Sequence, residues 1–186
     1  HLMKPKNYFN NFFTLGPSKG RNMPILGTRG CPFQCTFCSS PTMWTTRYVM
    51  RDPKEIVDEM EWLMKEYNAN EFDFFDLTAI VKKSWILAFC DEIKKRGIKN
   101  IAWQLPIGTR SESLDDDTLK AIYETGCLYI TYAPESGSEK TLNLIKKRVK
   151  LDKMFKSIKS AHNIGLTTRI NLIIGFPDEK LIDCIK

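Results

Sequence analysis

A chain of 186 residues, 42% hydrophobic and 27% charged, has an ordinary globular composition with enough apolar material for one core. No apolar run approaches the roughly 18 residues of a membrane span, and the N-terminal residues do not follow the charged, apolar, small-residue order of a secretory leader. A net charge of +6 permits an anionic partner without naming one, and six cysteines, three clustered and three scattered, point to a reduced, cytoplasmic compartment rather than a disulfide scaffold.

Residues 1–22, rich in Asn, Lys and Gly, read as a linker or edge segment, and residues 23–186 as the domain core. The short apolar run from Pro24 to Gly27 predicts a strand leading into the cysteine loop. After Asp52, an N-cap followed by Pro53 and by Glu55 three residues on, the stripe Ile56, Val57, Met60, Leu63, Met64 and Tyr67 predicts an amphipathic helix. The rhythm then repeats. Strands are expected at Phe72–Phe75, Ile101–Leu105, Leu128–Tyr132 and Thr168–Ile174. Helices are expected at Ser84–Arg96 before Gly97, Asp115–Glu124 before Gly126, Ser138–Ile145, and Asp152–His162 before Gly165. Another helix begins near Leu181.

Strands alternating with helices predict a parallel sheet with right-handed crossovers, and both an open doubly wound sheet and a barrel satisfy that pattern. In either, ligands gather at the carboxyl ends of the strands. The cysteine loop, Asp76, Pro106 to Arg110, Glu135 and Gly175 all fall just after predicted strands, so they are expected on one face. With no sixth strand after Ile174, the sheet is expected to stay open. The basic run Lys146–Lys150, continued by Lys153, Lys156 and Lys159, reads as a solvated face. A nucleic-acid partner is not expected, because no aromatics are interleaved there for base stacking.

The chemistry lies in Cys31, Cys35 and Cys38, spaced C-x3-C-x2-C. Iron–sulfur clusters are held by thiolates, and three cysteines leave one iron of a cubane open, as catalytic zinc keeps a position for water or substrate. Structural zinc would need a fourth ligand, for which the distant His162 is the only histidine to consider. A redox pair made of Cys35 and Cys38 would leave Cys31 without a role.

These cysteines, with Phe37 before the last of them, resemble the C-x3-C-x-aromatic-C signature of the radical S-adenosylmethionine superfamily. Thr28-Arg29-Gly30-Cys31-Pro32-Phe33 and the segment Arg47–Leu63 resemble its cobalamin-binding and methylthiotransferase-like branch. The likeness continues through Phe74-Phe75-Asp76, Gly126–Ser138 and Ile173–Glu179, in the family's order. It implies a partial (β/α) barrel of which about five parallel strands are present, open and truncated before the sixth. It implies a [4Fe-4S] cluster on Cys31, Cys35 and Cys38, with the amino and carboxylate groups of S-adenosylmethionine on the open iron. Reductive cleavage would then yield a 5′-deoxyadenosyl radical, with an electron donor such as flavodoxin or ferredoxin as partner. Cobalamin would enter through a further domain absent from this chain.

The resemblance also assigns cofactor contacts. Phe37 would lie beside the adenine, or simply pack in the core. Asp76 belongs to the region contacting the cofactor's amino group, or caps the next turn; Leu77 stands where the branch commonly has a second acidic residue. Glu135 and Ser136 resemble the ribose- and methionine-contacting motif, with a helix N-cap as the other reading of Glu135. Gly175 resembles the glycine where the fifth strand nears the adenine, or serves a simple turn before Pro177. Arg110 and Arg169 are the two candidates for the cofactor carboxylate. The competing function is a non-catalytic iron–sulfur electron carrier or scaffold, which would need no nucleoside pocket.

Overall fold

The computed structural model describes residues 4–7, 16–17, 20–110 and 114–184; most of the segment 1–22, and the last two residues of the chain, lie outside them. In chain order the elements are β1 (Asn22–Ile25), β2 (Thr28–Arg29), α1 (Ser40–Trp44), β3 (Val49–Met50), α2 (Pro53–Tyr67), β4 (Glu71–Phe74), α3 (Lys83–Lys95), β5 (Ala102–Thr109), α4 (Asp116–Glu124), β6 (Cys127–Glu135), α5 (Glu139–Leu144), α6 (Leu151–Asn163), β7 (Thr167–Leu172) and α7 (Leu181–Cys184).

One five-stranded sheet runs in the order β1-β4-β5-β6-β7, every neighbouring pair parallel. This is the expected partial barrel, and among the described residues it does not close. Alternation along the strands separates two faces. Phe72, Phe74, Trp103, Leu105, Ile130 and Tyr132 point to the helices and form the core with Ile56, Met60, Phe89 and Ile93. Phe74, Phe89 and Trp103 meet edge-on, with ring centroids 5.4–5.7 Å apart, a geometry worth about 0.5–1.5 kcal/mol per pair beyond buried area. The opposite face is polar: Gln104 donates to Asp73 at 2.9 Å. Gly16 lies against Gln104 and Tyr129 so closely that a Cβ would sit 2.0 Å from the Gln104 Oε1. At that point the N-terminal segment packs on the sheet.

The helices form where expected, for local reasons. The Asp52 side chain accepts from the Lys54 amide at 2.9 Å, Pro53 opens α2, and Ile56, Val57, Met60 and Leu63 are its buried stripe. Asn68 ends it in the left-handed conformation, φ 52°. Arg96 ties α3 to α2 through Asp58, Glu61 and Glu92 at 2.5–2.8 Å.

Three features differ from expectation. β2 and β3 pair as a short antiparallel ribbon, and α1 follows the cysteine loop. β5 and β6 continue past Leu105 and Tyr132 to Thr109 and Glu135, through Pro106, Gly108 and Pro134, with register shifts that absorb these breakers. Met43 and Trp44 on α1, apolar residues of the kind expected in a core, are exposed. Among the described residues no helix is long and apolar enough to cross a membrane.

Candidate functional site

The cysteine loop leaves β2 at the carboxyl end of the sheet, and its root is fixed by Asp76. One carboxylate oxygen accepts from the Gly27 amide at 3.1 Å; the other accepts from both the amide and the hydroxyl of Thr28. The register that sets Ile25 beside Phe74 brings these residues together across 49 positions of sequence. Arg51 donates its amide to the Gly27 carbonyl at 2.9 Å, and the Tyr48 hydroxyl reaches the Thr78 and Ala79 carbonyls at 3.3 and 3.2 Å. Gly30 turns the chain at φ +82°, where a Cβ would lie 2.0 Å from the Arg47 carbonyl oxygen; only glycine fits.

Three segments, two after strands and one after a helix, hold the loop from the other side. Past β5, the Arg110 guanidinium covers the Phe33 ring, 3.6 Å from its centroid. Past α5, the Ile145 carbonyl accepts from the Thr36 amide at 3.0 Å. Past β7, Phe176 packs on Phe37 with centroids 5.6 Å apart. The loop encloses a cavity of about 160 Å³ lined by Cys31, Cys35, Cys38, Phe33, Phe37 and Arg110, with Leu77, Asn171, Glu135 and Lys147 among the other walls. Lys147 donates to Glu135 at 3.0 Å, both side chains mostly buried, and lies 5.9 Å from the Phe37 ring centroid.

All six cysteines are free. Burial pushes the Cys31 and Cys35 thiols up, while the charges of Arg110 and Lys147 pull them down. The donor set fits an iron–sulfur cluster with one open iron. Three thiols share the cavity, Glu135 is its one carboxylate among the described residues and is held by Lys147, and no histidine lines it. Among the described residues no three such groups converge tightly enough for a single ion, whereas a cubane takes one thiolate per iron from separated positions. His162 sits in the last turn of α6, by a pocket with Gly165, Leu166, Thr167 and Thr168 at the opposite end of β7. Cys90 and Cys127 are buried in the core, the former pushed up to about 11 by desolvation.

The other expected contacts separate. Phe37, Arg110 and Glu135 line the cavity; Arg169 does not, although it shares a face of β7 with Asn171, which does. Asp76 is 1% exposed and engaged by Gly27 and Thr28, while its neighbours Leu77 and Thr78 face the cavity. Its carboxylate therefore braces the loop, and among the described hydrogen bonds it has no partner in the turn that follows. Ser138, not Glu135, caps α5, accepting from the Thr141 amide. Glu135 adopts φ 70°, a strained conformation for a residue with a side chain, at a register shift of β6. Ser136 accepts from the Ser138 amide and lines a second, apolar cavity of about 220 Å³ between α6, β7 and α7. Gly175 is left-handed at φ +97° with its amide on Glu179, and nothing lies within 4 Å of where its Cβ would be.

Lys147 went unnoticed in the sequence because it is embedded in a charge run. Its signal is the alternation Lys147 and Val149 inward against Lys146, Arg148 and Lys150 outward.

The family model described as the Radical SAM superfamily matches residues 25–186, which include the loop and every strand end around it. The chain belongs to the radical SAM superfamily. It is 31% identical over 155 residues to an uncharacterised methyltransferase of Pyrococcus horikoshii, covering 83% of this chain and 33% of that protein. It is 30% identical over 166 residues to the cytidylyl-2-hydroxyethylphosphonate methyltransferase of Streptomyces wedmorensis, covering 89% and 30%. Among solved structures it resembles the radical S-adenosylmethionine methyltransferase TsrM of Kitasatospora setae, with TM-score 0.75, 17% identity, and coverage of 88% of this chain and 33% of that one. TsrM has also been solved with cobalamin and a [4Fe-4S] cluster bound. The chain thus spans about a third of the length of these relatives. The superfamily is one whose cofactors are a [4Fe-4S] cluster and S-adenosylmethionine.

Proposed function

We propose that Cys31, Cys35 and Cys38 hold a [4Fe-4S] cluster whose fourth iron binds S-adenosylmethionine. The observation that carries this reading is one cavity lined by three free thiols and, among the described residues, by no fourth cysteine. When bound, the two cofactors supply the one-electron cleavage that gives a 5′-deoxyadenosyl radical. The electron comes from a donor such as reduced flavodoxin or ferredoxin. The names of the relatives favour methyl transfer as the outcome, with cobalamin supplied by a further domain.

The residues of this chain bind and orient. A carboxylate offers about four lone-pair sites, so Glu135 can accept from Lys147 at Oε1 and still take a ribose hydroxyl. Arg110 is the better placed of the two arginines for the cofactor carboxylate, since it lines the cavity and Arg169 does not. Lys147 adds a second cation beside it. Phe37, held by Phe176, offers a flat apolar wall for the adenine. Ser136 and Gly175 act through the backbone next to Glu135 and Phe176. Asp76 positions the loop rather than touching the cofactor.

Anaerobic reconstitution, iron and sulfide analysis, and electron paramagnetic resonance test the reading. The reduced wild type should carry one cluster whose resonance changes when S-adenosylmethionine is added, and Cys35→Ala should lose it. A full cluster in Cys35→Ala would overturn the ligand assignment. An unchanged resonance at saturating S-adenosylmethionine would leave an electron carrier or scaffold instead.

A further inference from the structure

The basic run of residues 146–150 folds in a more particular way than a solvated face requires. It connects α5 to α6, and its side chains alternate. Lys147 and Val149 line the cysteine cavity, whereas Lys146, Arg148 and Lys150 are exposed. Lys150 is extended, with φ −102° and ψ 104°. Along α6, Lys153, Lys156 and Lys159 continue the exposed row. Among the described residues the ion pairs of this region are Lys147 with Glu135 and Lys140 with Asp183; none of the six outward cations is in one, although Glu139 borders the same pocket as Lys146 and Arg148. Asp152 is the one acid between positions 146 and 159.

The start of this row lies behind the thiols, and α6 carries its later lysines away from them. The carbonyl of Ile145, the residue before Lys146, accepts from the amide of Thr36, between Cys35 and Cys38. The outer surface of the run is therefore one layer of chain away from the cysteine loop. Unpaired cations concentrated on one surface attract an anionic partner and speed its encounter. RNA is the less suited partner. The run has no aromatic side chain on which a base could stack, and the exposed rings of α6, Phe155 and His162, border separate cavities at different ends of the helix.

We propose that Lys146, Arg148 and Lys150, extended by the lysines of α6, form the docking face for an acidic one-electron donor protein. The proposal rests on the radical SAM reading of the cysteine loop. In the step it serves, the reduced donor loses one electron, the cluster gains one, and no atom is transferred.

The test is stopped-flow reduction of the reconstituted protein, read as loss of cluster absorbance. Reduced flavodoxin is the acidic donor, and photoreduced deazaflavin is a small donor that needs no docking. In the charge-reversal variant Lys146→Glu, Arg148→Glu, Lys150→Glu, reduction by flavodoxin at low salt should slow by on the order of ten- to a hundredfold. The difference from wild type should shrink as salt rises, and reduction by deazaflavin should be unchanged. Should the triple variant misfold, Lys153→Glu with Lys156→Glu, on the exposed side of α6, should show a smaller loss of the same kind. Equal flavodoxin rates in wild type and a folded variant would overturn the proposal. So would a salt-sensitive affinity for a single-stranded RNA oligonucleotide that the variant loses while its flavodoxin rate stays normal. A cluster that deazaflavin cannot reduce would instead refute the underlying radical SAM reading, a separate and recognisable result.

Discussion

Replacing Asp76 by Ala separates a bracing residue from a cofactor ligand. The carboxylate is buried and accepts from the amides of Gly27 and Thr28 and from the Thr28 hydroxyl. The hydroxyl has a second acceptor in the Thr78 carbonyl at 3.4 Å, but no other acceptor is seen for the two amides among the described contacts. Each buried donor left without a partner costs about 1–3 kcal/mol. The variant should therefore lose about 2–6 kcal/mol, with the lower end expected if a water fills the vacated space. Against a typical total of about 5–15 kcal/mol this is a large fraction. Urea unfolding with linear extrapolation measures it. Because the two amides stand at the root of the cysteine loop, cluster occupancy after reconstitution should fall too. Asp76→Asn, which keeps one acceptor oxygen, should lose less of both. A folded Asp76→Ala protein of unchanged stability that binds S-adenosylmethionine weakly would refute this reasoning and return Asp76 to the cofactor.

Glu135→Gln should keep the cluster and weaken S-adenosylmethionine binding on the order of ten- to a hundredfold, as loss of a charged hydrogen bond of about 1.5–3 kcal/mol implies; anaerobic calorimetry showing normal affinity would remove it from the site. Arg110→Leu removes the cation over Phe33, a contact of about 0.5–2 kcal/mol, and should speed loss of iron to a chelator. Asp115 caps α4, accepting from the Thr118 amide at 3.1 Å, and its hydrogen bond with Lys83 helps hold its carboxyl at about 2. Asp115→Ala should cost about 1 kcal/mol at neutral pH, mostly as the lost cap because the ion pair is exposed and screened. A carboxyl lowered in the folded state stabilises above its unfolded value near 4, so this difference should be full above about pH 4 and close as pH falls toward 2. A gap that widens on acidification would contradict it.

What the sequence made legible follows from how local each cause is. Asp52 and Pro53 start α2 by contacts within a few residues, and its apolar stripe needs only the helical period, so the element was readable. The thiol spacing was readable for the same reason. β2 and β3, of two residues each, are too short to carry any periodicity. Pro106 and Pro134 look like strand breakers until bulged register absorbs them. The work of Asp76 depends on β1 lying beside β4, a pairing that no nearby residue signals. Arg110 and Arg169 each follow or lie on a strand and could not be told apart from sequence; in the fold Arg110 lines the cavity and Arg169 does not.

The bracing of the cysteine loop bears on the order in which the holoprotein is assembled. In small zinc modules the metal organises the chain, and folding and loading are one event. Here Asp76, Arg110, Ile145 and Phe176 all grip the loop through protein contacts alone. The proposed cluster should therefore enter late, on a folded scaffold, and a chelator should strip it while leaving a folded apoprotein ready to be filled again.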